Sequence, residues 1–402
     1  MSIFADAYRF LVRQGRPFKV NLVKNLGMNF GMGLTQQYQP IFVMALGATA
    51  TELGYVTSLG GAVTMIMSVP IGLLADRVGV RRMMIFSLLS MTLGYLAFGL
   101  AGEWMYTAYA YVFVAIGMLV ANNVCPMVCG ACLNSVERTT GMQFCDTAGA
   151  IPRLFAPVIA GLLIGYLGGL TPEGIRPVFF LGAAVIFVAF LYFLRYFENP
   201  IIKRQPSGSG ITVGLTRVFK EGVHVKRWIA YYSLMIMPWY LGFYLPLFAR
   251  QVKGANPIVV GLMDSGFWLV VVLLAIPVGL ASDKLGRRRM ILVLTPCYCF
   301  GLLLLGSSSG DIYTVVAGAF SGFAMLAAVT ESSLTVELVP RELLGSWFGL
   351  LGLFTGLVSF VGPIVGGFVW DFNPVYVLYI LAATQIVKLF ILWTMPAKTR
   401  YS

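Results

Sequence analysis

The sequence is short of charge, and this shortage excludes a soluble globular protein. Only 11% of its 402 residues are charged and 58% are hydrophobic, whereas soluble domains carry about a quarter charged residues. A soluble fold of this length needs more polar surface than the chain can supply. The composition therefore predicts an exterior that faces lipid. The 45 glycines and 19 prolines agree, because transmembrane helices tolerate both residues.

Residues for catalysis and for metal binding are also scarce. The single histidine, His224, has no Ser or Cys partner arrangement, and the sequence contains no nucleotide-binding glycine-rich loop. We therefore expect no enzymatic activity, no cofactor, no metal site and no direct use of ATP. Cys125, Cys129 and Cys132 share one helix face with Asn122, a spacing conceivable for a soft metal. Small side chains that ease helix packing are the favoured interpretation.

The apolar runs of the chain predict an all-α membrane protein with twelve transmembrane spans, since a span needs about 20 mostly apolar residues. In the first half these are Val20–Leu46, Leu53–Leu74, Met83–Ala101, Met105–Leu133, Thr140–Gly168 and Val178–Phe197. In the second half they are Trp228–Ala249, Ile258–Ala281, Met290–Gly306, Ile312–Val336, Leu344–Trp370 and Val375–Met395.

The positions of Lys and Arg predict how the spans are oriented. The predicted outer loops hold only Arg176, Arg250 and Lys253, and the opposite side, which is rich in basic residues, is cytoplasmic by the positive-inside rule. Both termini are then cytoplasmic, in a multi-pass protein of the cell membrane. The net charge of +12 fits contact with anionic lipid, so no nucleic-acid partner is expected. No cleavable signal peptide is visible, and the first apolar segment is expected to direct insertion.

The longest polar stretch divides the predicted spans into two equal sets. It runs from Glu198 to Arg227 and contains Ser207-Gly208-Ser209-Gly210, a composition typical of a flexible linker. We therefore predict an N-terminal six-helix bundle over residues 1–198, a cytoplasmic linker over 199–227 and a C-terminal six-helix bundle over 228–402.

Two loops at equivalent positions in the two halves carry the same pattern, 207 residues apart. The order is Gly, Asp, a basic residue, Gly and two further basic residues, and such internal symmetry is typical of a duplicated transporter fold. The residues are Gly72, Asp76, Arg77, Gly79, Arg81 and Arg82 after the second span, and Gly279, Asp283, Lys284, Gly286, Arg287 and Arg288 after the eighth.

These loops resemble the signature loop of the major facilitator superfamily, and the span count, the half-length repeat and the long central loop resemble that family too. The resemblance implies two pseudo-symmetric bundles in a monomeric secondary transporter that works by alternating access. In the family the loop closes the cytoplasmic side when the transporter faces outward. By analogy Asp76 would face the start of span eleven near Gly345, and Asp283 the start of span five near Gly141. The basic residues would bind lipid phosphates or nearby carboxylates.

A second motif resembles one found in drug–proton antiporters of this family. Residues 362–367 in span eleven read Gly-Pro-Ile-Val-Gly-Gly, similar to an element that antiporters place in span five. Span five of this chain has Ala156-Pro157 and Gly161 instead, and span four lacks the arginine that antiporters often carry. The resemblance to antiporters is therefore partial.

Among the charged side chains inside predicted spans, we single out Asp146, Arg153, Asp264, Glu331 and Lys388. An ionisable group in a span costs about 2.5–3.5 kcal/mol on insertion scales and so needs a structural or functional reason. Lys388 is expected to reach the interface from a lipid-facing span twelve. Asp146, near the cytoplasmic end of span five, is expected to bind the basic loops. Arg153 is predicted to pair with Glu331 or Asp264 in one conformation and to lose that partner in another, so that a proton or substrate at the acid biases the two states. A permanent structural ion pair is the alternative.

The family's central cavity is lined mainly by spans one, four, seven and ten, which gives candidate substrate contacts. Amides and aromatic rings at mid-membrane suit a ligand with polar and apolar parts, although aromatic side chains can also pack against lipid. The candidates are Asn29 and Gln36 in span one, Asn122 and Asn123 in span four, and Tyr232, Trp239 and Tyr240 in span seven.

Three functions are consistent with these features. The first is proton-coupled efflux of amphiphilic small molecules, supported by the Gly-Pro element, the aromatic span seven and the buried acids. The second is proton-coupled uptake of a sugar or organic acid, for which Arg153 is the deep cation. The third is a membrane sensor or scaffold that does not transport. Two intact gating loops argue against the third, because a scaffold has no need of them. Substrate, protons and membrane lipids are the expected partners.

Overall fold

A computed structural model describes residues 11–132, 144–145, 147–198, 217–336, 338–340 and 343–395, and every regular element in these ranges is helical. The helices before residue 199 are α1 (Arg16–Thr35), α2 (Gln39–Ala45), α3 (Ala50–Val78), α4 (Val80–Leu100), α5 (Thr107–Cys132), α6 (Pro152–Tyr166) and α7 (Pro172–Tyr196). Those after residue 216 are α8 (Val225–Met235), α9 (Met237–Leu241), α10 (Leu245–Gln251), α11 (Pro257–Leu285), α12 (Arg287–Ser307), α13 (Asp311–Val336), α14 (Leu344–Phe372) and α15 (Pro374–Trp393). We call these two sets the first half and the second half.

Ten helical segments of the described chain are long and apolar enough to cross a membrane. They correspond to predicted spans three to twelve. The first predicted span falls on α1 and α2 and the second on α3, which are not among the ten, so the count of twelve stays a prediction. The ten segments are Val80–Leu100, Trp104–Cys125, Thr147–Tyr166, Pro172–Tyr196, Val225–Gln251, Pro257–Leu285, Arg287–Ser307, Asp311–Thr335, Trp347–Phe372 and Pro374–Trp393.

The first and seventh predicted spans are interrupted at matching places. A 3-10 turn over Gln36–Tyr38 separates α1 from α2, and another over Gly242–Tyr244 separates α9 from α10. In each case a proline, Pro40 or Pro246, stands two residues after the tyrosine that ends the turn. Proline has no N–H to donate, and its ring clashes with the preceding turn of an α-helix. The two prolines therefore account for the break in each span.

The two repeated loops have the same backbone geometry. Gly79 and Gly286 have φ angles of 90° and 94°, a region that side chains disfavour. Arg81 Nη2 donates to the carbonyl of Leu194, and Arg288 Nη2 to that of Trp393, each at 2.8 Å. These carbonyls lie in the last turns of α7 and α15, where the helix supplies no N–H. Arg81 and Arg288 thus cap helix ends, and the expected contacts of the basic residues with lipid or with carboxylates stay predictions. We call this side of the molecule the basic end.

The remaining loop residues are less constrained. Arg82, Asp283 and Lys284 are exposed, and Arg287 donates to the carbonyl of Ser333 at 3.3 Å. Gly72, Asp76 and Arg77 lie in the last two turns of α3, and their surroundings, like those of Gly345, fall outside the described part of the chain. Gly141 lies in an undescribed range. The predicted contacts of Asp76 and Asp283 therefore stay predictions.

At the opposite side, which we call the sealed end, the two halves meet in two seams of close backbone contact. In the seam between α3 and α14, a Cβ on Gly54 would stand 2.5 Å from the carbonyl oxygen of Pro363. In the seam between α6 and α11, a Cβ on Gly261 would stand 2.3 Å from that of Pro157. Only glycine fits at such distances, as is common where membrane helices pack tightly. The sealed end lies at the first turns of α3 and α11.

The halves separate toward the basic end. Gly356 of α14 still lies against Met65 of α3, but Gly349 and Gly352, nearer the basic end, meet no neighbour within 4 Å in the described part of the chain. Gly279, close to the end of α11, also faces open space. A gap between the halves is therefore closed at the sealed end and widens toward the basic end.

Candidate functional site

The main cavity of the described chain lies between the halves and has a volume of about 490 Å³. Its wall comes from α1, α4, α5, α6, α11 and α13 and is mostly apolar, and five of its residues are methionines, whose flexible thioether adapts to varied shapes. Residues that line it include Asn25, Met28, Asn29, Met32, Met91, Met118, Asn122, Cys125, Cys145, Arg153, Trp268, Val271, Gly279 and Met325.

Arg153 projects into this cavity from the first turn of α6 and is held by neutral groups. Its Nε donates to Oδ1 of Asn29 at 2.8 Å and its Nη1 to Oε1 of Gln36 at 3.4 Å. Its Nη2 lies 3.4 Å from the sulfur of Met32, and its guanidinium carbon lies 4.5 Å from the ring centroid of Trp268, a cation–π distance. Among the described residues that line the cavity, Arg153 alone is charged.

Asp264 approaches Arg153 from the other half. It lies on α11, one helical turn before Trp268, and only 8% of its surface is exposed. Its polar neighbours are the side chains of Gln37 and Arg153. Within the described ranges, no ion pair joins Arg153 to this or any other carboxylate. Arg153 and Asp264 are therefore neighbours without a direct salt bridge in this conformation, and the predicted pairing of Arg153 with Asp264 stays a prediction.

The amides predicted for the cavity divide into two groups. Asn29 and Asn122 line it, and Asn29 also donates from Nδ2 to the carbonyl of Asn25 at 2.9 Å. Gln36 is exposed and is not among the described lining residues, and its contact with the site is the hydrogen bond that it accepts from Arg153. Asn123 is exposed and donates to the carbonyl of Leu119 in its own helix at 2.8 Å. Asp146, expected to bind the basic loops, lies outside the described residues.

The aromatic residues predicted in span seven occupy another place than expected. Tyr232 and Tyr240 pack against the hydrophobic cluster that contains Trp228 and Trp347, and Trp239 is 46% exposed. None of the three is among the described residues that line the cavity. Span seven is broken between α8 and α9, close to these three residues. Helix α11 supplies the missing aromatic surface instead, through Trp268.

A second buried charged group lies wholly inside the second half, and we call it the ion-pair cluster. Nζ of Lys388 on α15 lies 2.8 Å from Oε1 of Glu331 on α13. The hydroxyl of Tyr231 on α8 donates to the same oxygen at 2.6 Å. Lys388 is 2% exposed and Glu331 is fully buried.

The ion-pair cluster corrects two predictions. The expectation that Lys388 reaches the membrane interface from a lipid-facing helix was wrong, because this face of α15 is buried against Glu331. Glu331 does not pair with Arg153 in this conformation, since its Oε1 is bonded to Lys388 and Tyr231. A role for Glu331 in coupling stays a prediction.

Sequence reasoning also missed several residues that the structure brings to the site. Trp268 stands four residues after Asp264, a spacing that places both on one helix face. This spacing could have identified Trp268 from the sequence. The methionines gave no signal, because apolar side chains in a span fit lipid and cavity equally well. Lys24 in predicted span one was also missed. It is not among the described residues that line the cavity, and it is fully buried with Nζ 3.4 Å from the sulfur of Met84.

Comparisons with known proteins agree with this architecture. The sequence profile described as Major Facilitator Superfamily matches residues 26–258 and 251–401. The chain is 23% identical over 401 residues to "Multidrug resistance protein 2" of Bacillus subtilis, covering 94% of this chain and 95% of that protein. It superposes on the nucleoside transporter NupG with a TM-score of 0.75 at 14% identity, covering 95% of this chain and 100% of that one. A D-xylose–proton symporter gives 0.72 at 14% identity, with 96% and 100% covered.

Proposed function

Because the chain belongs to the major facilitator superfamily, we propose that it exports amphiphilic small molecules in exchange for protons by alternating access. The proposal includes twelve spans in two six-helix bundles, residues 1–198 and 228–402, joined by a cytoplasmic linker over 199–227. It places a monomer in the cell membrane with both termini, and hence the basic end, in the cytoplasm. The cavity then opens toward the cytoplasm, the side from which an exporter takes its substrate.

One observation carries the proposal, namely a cavity that is closed at one end and open at the other. Its volume of about 490 Å³ falls within the range of about 300–1,000 Å³ that accommodates drug-sized ligands. Methionines and Trp268 offer adaptable apolar contacts, and Asn29, Asn122 and Arg153 offer polar ones. Such a wall suits molecules with an apolar body and one polar or charged group. The name of the Bacillus subtilis relative also supports export of several compounds.

Asp264 is the acid that we assign to proton coupling. It lies across the seam from Arg153 and forms no direct salt bridge with it, so a proton can be added without breaking one. Protonation of Glu331, whose Oε1 contacts both Lys388 and Tyr231, would neutralise the partner of a buried cation at a cost of several kcal/mol. A cationic substrate and a proton can therefore exchange at Asp264, which links the two fluxes.

A second candidate function is favoured by Arg153. As the charged lining residue of the described cavity, it would attract an anionic metabolite, and protonation of Asp264 would strengthen that attraction by removing the nearby negative charge. Proton and anion would then bind together, as in uptake of an organic acid with protons. The two functions predict opposite proton changes when substrate binds.

The test uses two probes of equal shape and opposite charge, tetraphenylphosphonium and tetraphenylborate. Purified protein in weakly buffered detergent is titrated with each probe while its thermal midpoint and the released protons are measured. Export by antiport predicts stabilisation by the phosphonium with release of protons. Asp264→Asn should remove the proton release, and Asp311→Asn, an exposed acid of the same half, should leave it unchanged.

Other outcomes would contradict the proposal in distinct ways. Stabilisation by tetraphenylborate or by a carboxylate, with uptake of protons, would assign the chain to symport of anions. Loss of proton release in Glu331→Gln but not in Asp264→Asn would move coupling to the ion-pair cluster. If proteoliposomes accumulate neither probe under a proton gradient, nor sugars or organic acids, the transport proposal fails in favour of a sensor or scaffold.

A further inference from the structure

Tyr38 stands at the seam between α6 and α11, with its hydroxyl between two backbone carbonyls. The hydroxyl lies 3.1 Å from the carbonyl oxygen of Pro157 in its own half and 2.9 Å from that of Pro257 in the other half. The side chain is fully buried. Gly161 and Gly261 make room for it, since a Cβ on either would stand 2.9 Å or 3.0 Å from the hydroxyl oxygen.

Tyr244 stands in the same way at the seam between α3 and α14. Its hydroxyl lies 2.8 Å from the carbonyl oxygen of Pro363 in its own half and 3.4 Å from that of Ala50 in the other half. This tyrosine is also fully buried. Gly367 allows the approach of the helices, because a Cβ there would stand 2.4 Å from the oxygen of Ala50.

The two arrangements are copies of each other in the internal repeat. Each uses one tyrosine at the end of a 3-10 turn, one proline carbonyl from its own half, and one carbonyl at the first residue of a helix from the other half. The equivalent residues, separated by 206 or 207 positions, are Tyr38 and Tyr244, Pro157 and Pro363, Ala50 and Pro257, Gly161 and Gly367, and Gly54 and Gly261.

We propose that Tyr38 and Tyr244 are a pair of gating residues that hold the sealed end closed and release it once in every transport cycle. The inference rests on the proposed alternating access and adds to it the residues that set the balance between the two states. Both tyrosines act by positioning the two halves, because neither lies among the described residues that line the cavity.

The geometry explains why these contacts can break reversibly. A tyrosine hydroxyl has one proton to donate, and here that proton has two acceptors, one in each half. When the seam opens, the hydroxyl loses the carbonyl of the other half but keeps Pro157 or Pro363 in its own. No buried donor is left without a partner, which would otherwise cost about 1–3 kcal/mol. The bond across the seam therefore favours closure without making opening prohibitive.

The experiment measures the opening of the sealed end directly. Spin labels are placed at Glu103→Cys and Ser309→Cys, exposed loop positions on the first and second half, after replacement of the six native cysteines. Distance distributions are recorded in lipid nanodiscs for the parent and for the variants Tyr38→Phe and Tyr244→Phe. Phenylalanine keeps the ring and removes only the hydroxyl, so the fold is retained.

Each variant should raise the ratio of long to short distances about fivefold, and the double variant by about the product of the two. Tyr111→Phe is the control, because Tyr111 is buried and its hydroxyl has no hydrogen-bond partner in the described chain. A purely structural role would lower the thermal midpoint without changing the distance ratio. An unchanged ratio in both single variants, or an equal shift in Tyr111→Phe, would overturn the proposal.

Failure of this inference can be told apart from failure of the proposed export. If the tyrosine variants lengthen the distance while wild-type proteoliposomes carry neither phosphonium nor borate, the gating residues stand and the export function fails. If the wild type transports a probe but the distance ratio is the same in Tyr38→Phe and Tyr244→Phe as in the parent, only the gating inference fails.

Discussion

The cavity site, formed by Arg153 and Asp264, and the ion-pair cluster place buried charge in the membrane in opposite ways. In the cavity site the guanidinium is held by amide oxygens, a sulfur and an indole ring, and the carboxylate stands nearby without a direct bond. In the ion-pair cluster the two charges lie 2.8 Å apart, and a tyrosine hydroxyl adds a hydrogen bond.

The difference lies in which halves supply the charges. Arg153 comes from α6 in the first half and Asp264 from α11 in the second, so their interaction crosses a seam. Glu331, Lys388 and Tyr231 all belong to the second half. An interaction across a moving interface changes when two bodies rotate, whereas one inside a rigid body does not. This difference is why the proposed function places substrate and proton exchange at the cavity site, whereas the ion-pair cluster is expected to stabilise the fold.

The largest effect is expected when the ion pair is broken. Lys388→Met leaves Glu331 buried without its cation, and removing one partner of a buried pair costs about 3–5 kcal/mol. The double variant Lys388→Met with Glu331→Gln should recover most of that loss, because no uncompensated charge remains. Unfolding in mixed micelles measures both.

Lys284→Met serves as the control for this prediction, since Lys284 is exposed at the basic end. It should change the free energy of unfolding little. If Lys388→Met proves as harmless as the control, or if the double variant is no better than the single, the ion-pair cluster does not stabilise the fold and the comparison fails.

A smaller loss is expected from Tyr231→Phe. This change removes a hydrogen bond of 2.6 Å to a carboxylate oxygen, and hydrogen bonds to charged groups contribute about 1.5–3 kcal/mol. Tyr379→Phe, at an exposed tyrosine, provides the reference in the same unfolding assay. Transport by Tyr231→Phe should persist; a loss of proton-coupled transport with unchanged stability would give the ion-pair cluster a role in coupling.

A still smaller effect is expected from Trp268→Leu, which changes the cavity site. The indole faces the guanidinium of Arg153 at 4.5 Å, and a cation–π contact contributes about 0.5–2 kcal/mol. Because this contact orients Arg153 at the cavity wall, the variant should weaken phosphonium or borate binding severalfold and change stability little. Calorimetric titration of either probe, with Trp393→Leu at an exposed tryptophan as control, checks this. Equal affinities in both variants would separate Trp268 from the site.

Features of the backbone pattern could be predicted from the sequence. The repeated loops, with Gly79 and Gly286 at equivalent left-handed positions, follow from the order of residues, because glycine favours such φ angles. Asp264 was one of the two acids, with Glu331, that span position and the family's topology offered as partners of Arg153. Both rest on local pattern or on the family's topology, and neither needs side-chain packing.

Partners fixed by packing could not be predicted in this way. Lys388 pairs with Glu331, which lies 57 residues earlier in the sequence. A single lysine in an apolar run does not indicate which neighbouring helix it faces. Tyr38 and Tyr244 share a Tyr-x-Pro pattern, but their acceptors are backbone carbonyls, which leave no trace in the sequence. The aromatic residues of span seven were predicted to line the cavity because span seven lines it in the family. A break in the helix changes which side chains face the cavity, and the family's topology does not reveal that change.

The smallest effect is expected from a double-mutant cycle between the two charged sites, with Arg153→Gln and Glu331→Gln as its single variants. Had Arg153 and Glu331 been partners, neutralising both would cost less than the sum of the two changes. Since the structure instead bonds Glu331 to Lys388, the two effects on unfolding should add to within about 0.5 kcal/mol. A cycle between Lys388→Met and Glu331→Gln, measured in the same micelles, should depart from additivity by several times that amount. Strong coupling between Arg153 and Glu331 would mean that they pair in another state of the cycle. In that case, both would belong to one switching site, and the separate roles given to the cavity site and the ion-pair cluster would be wrong.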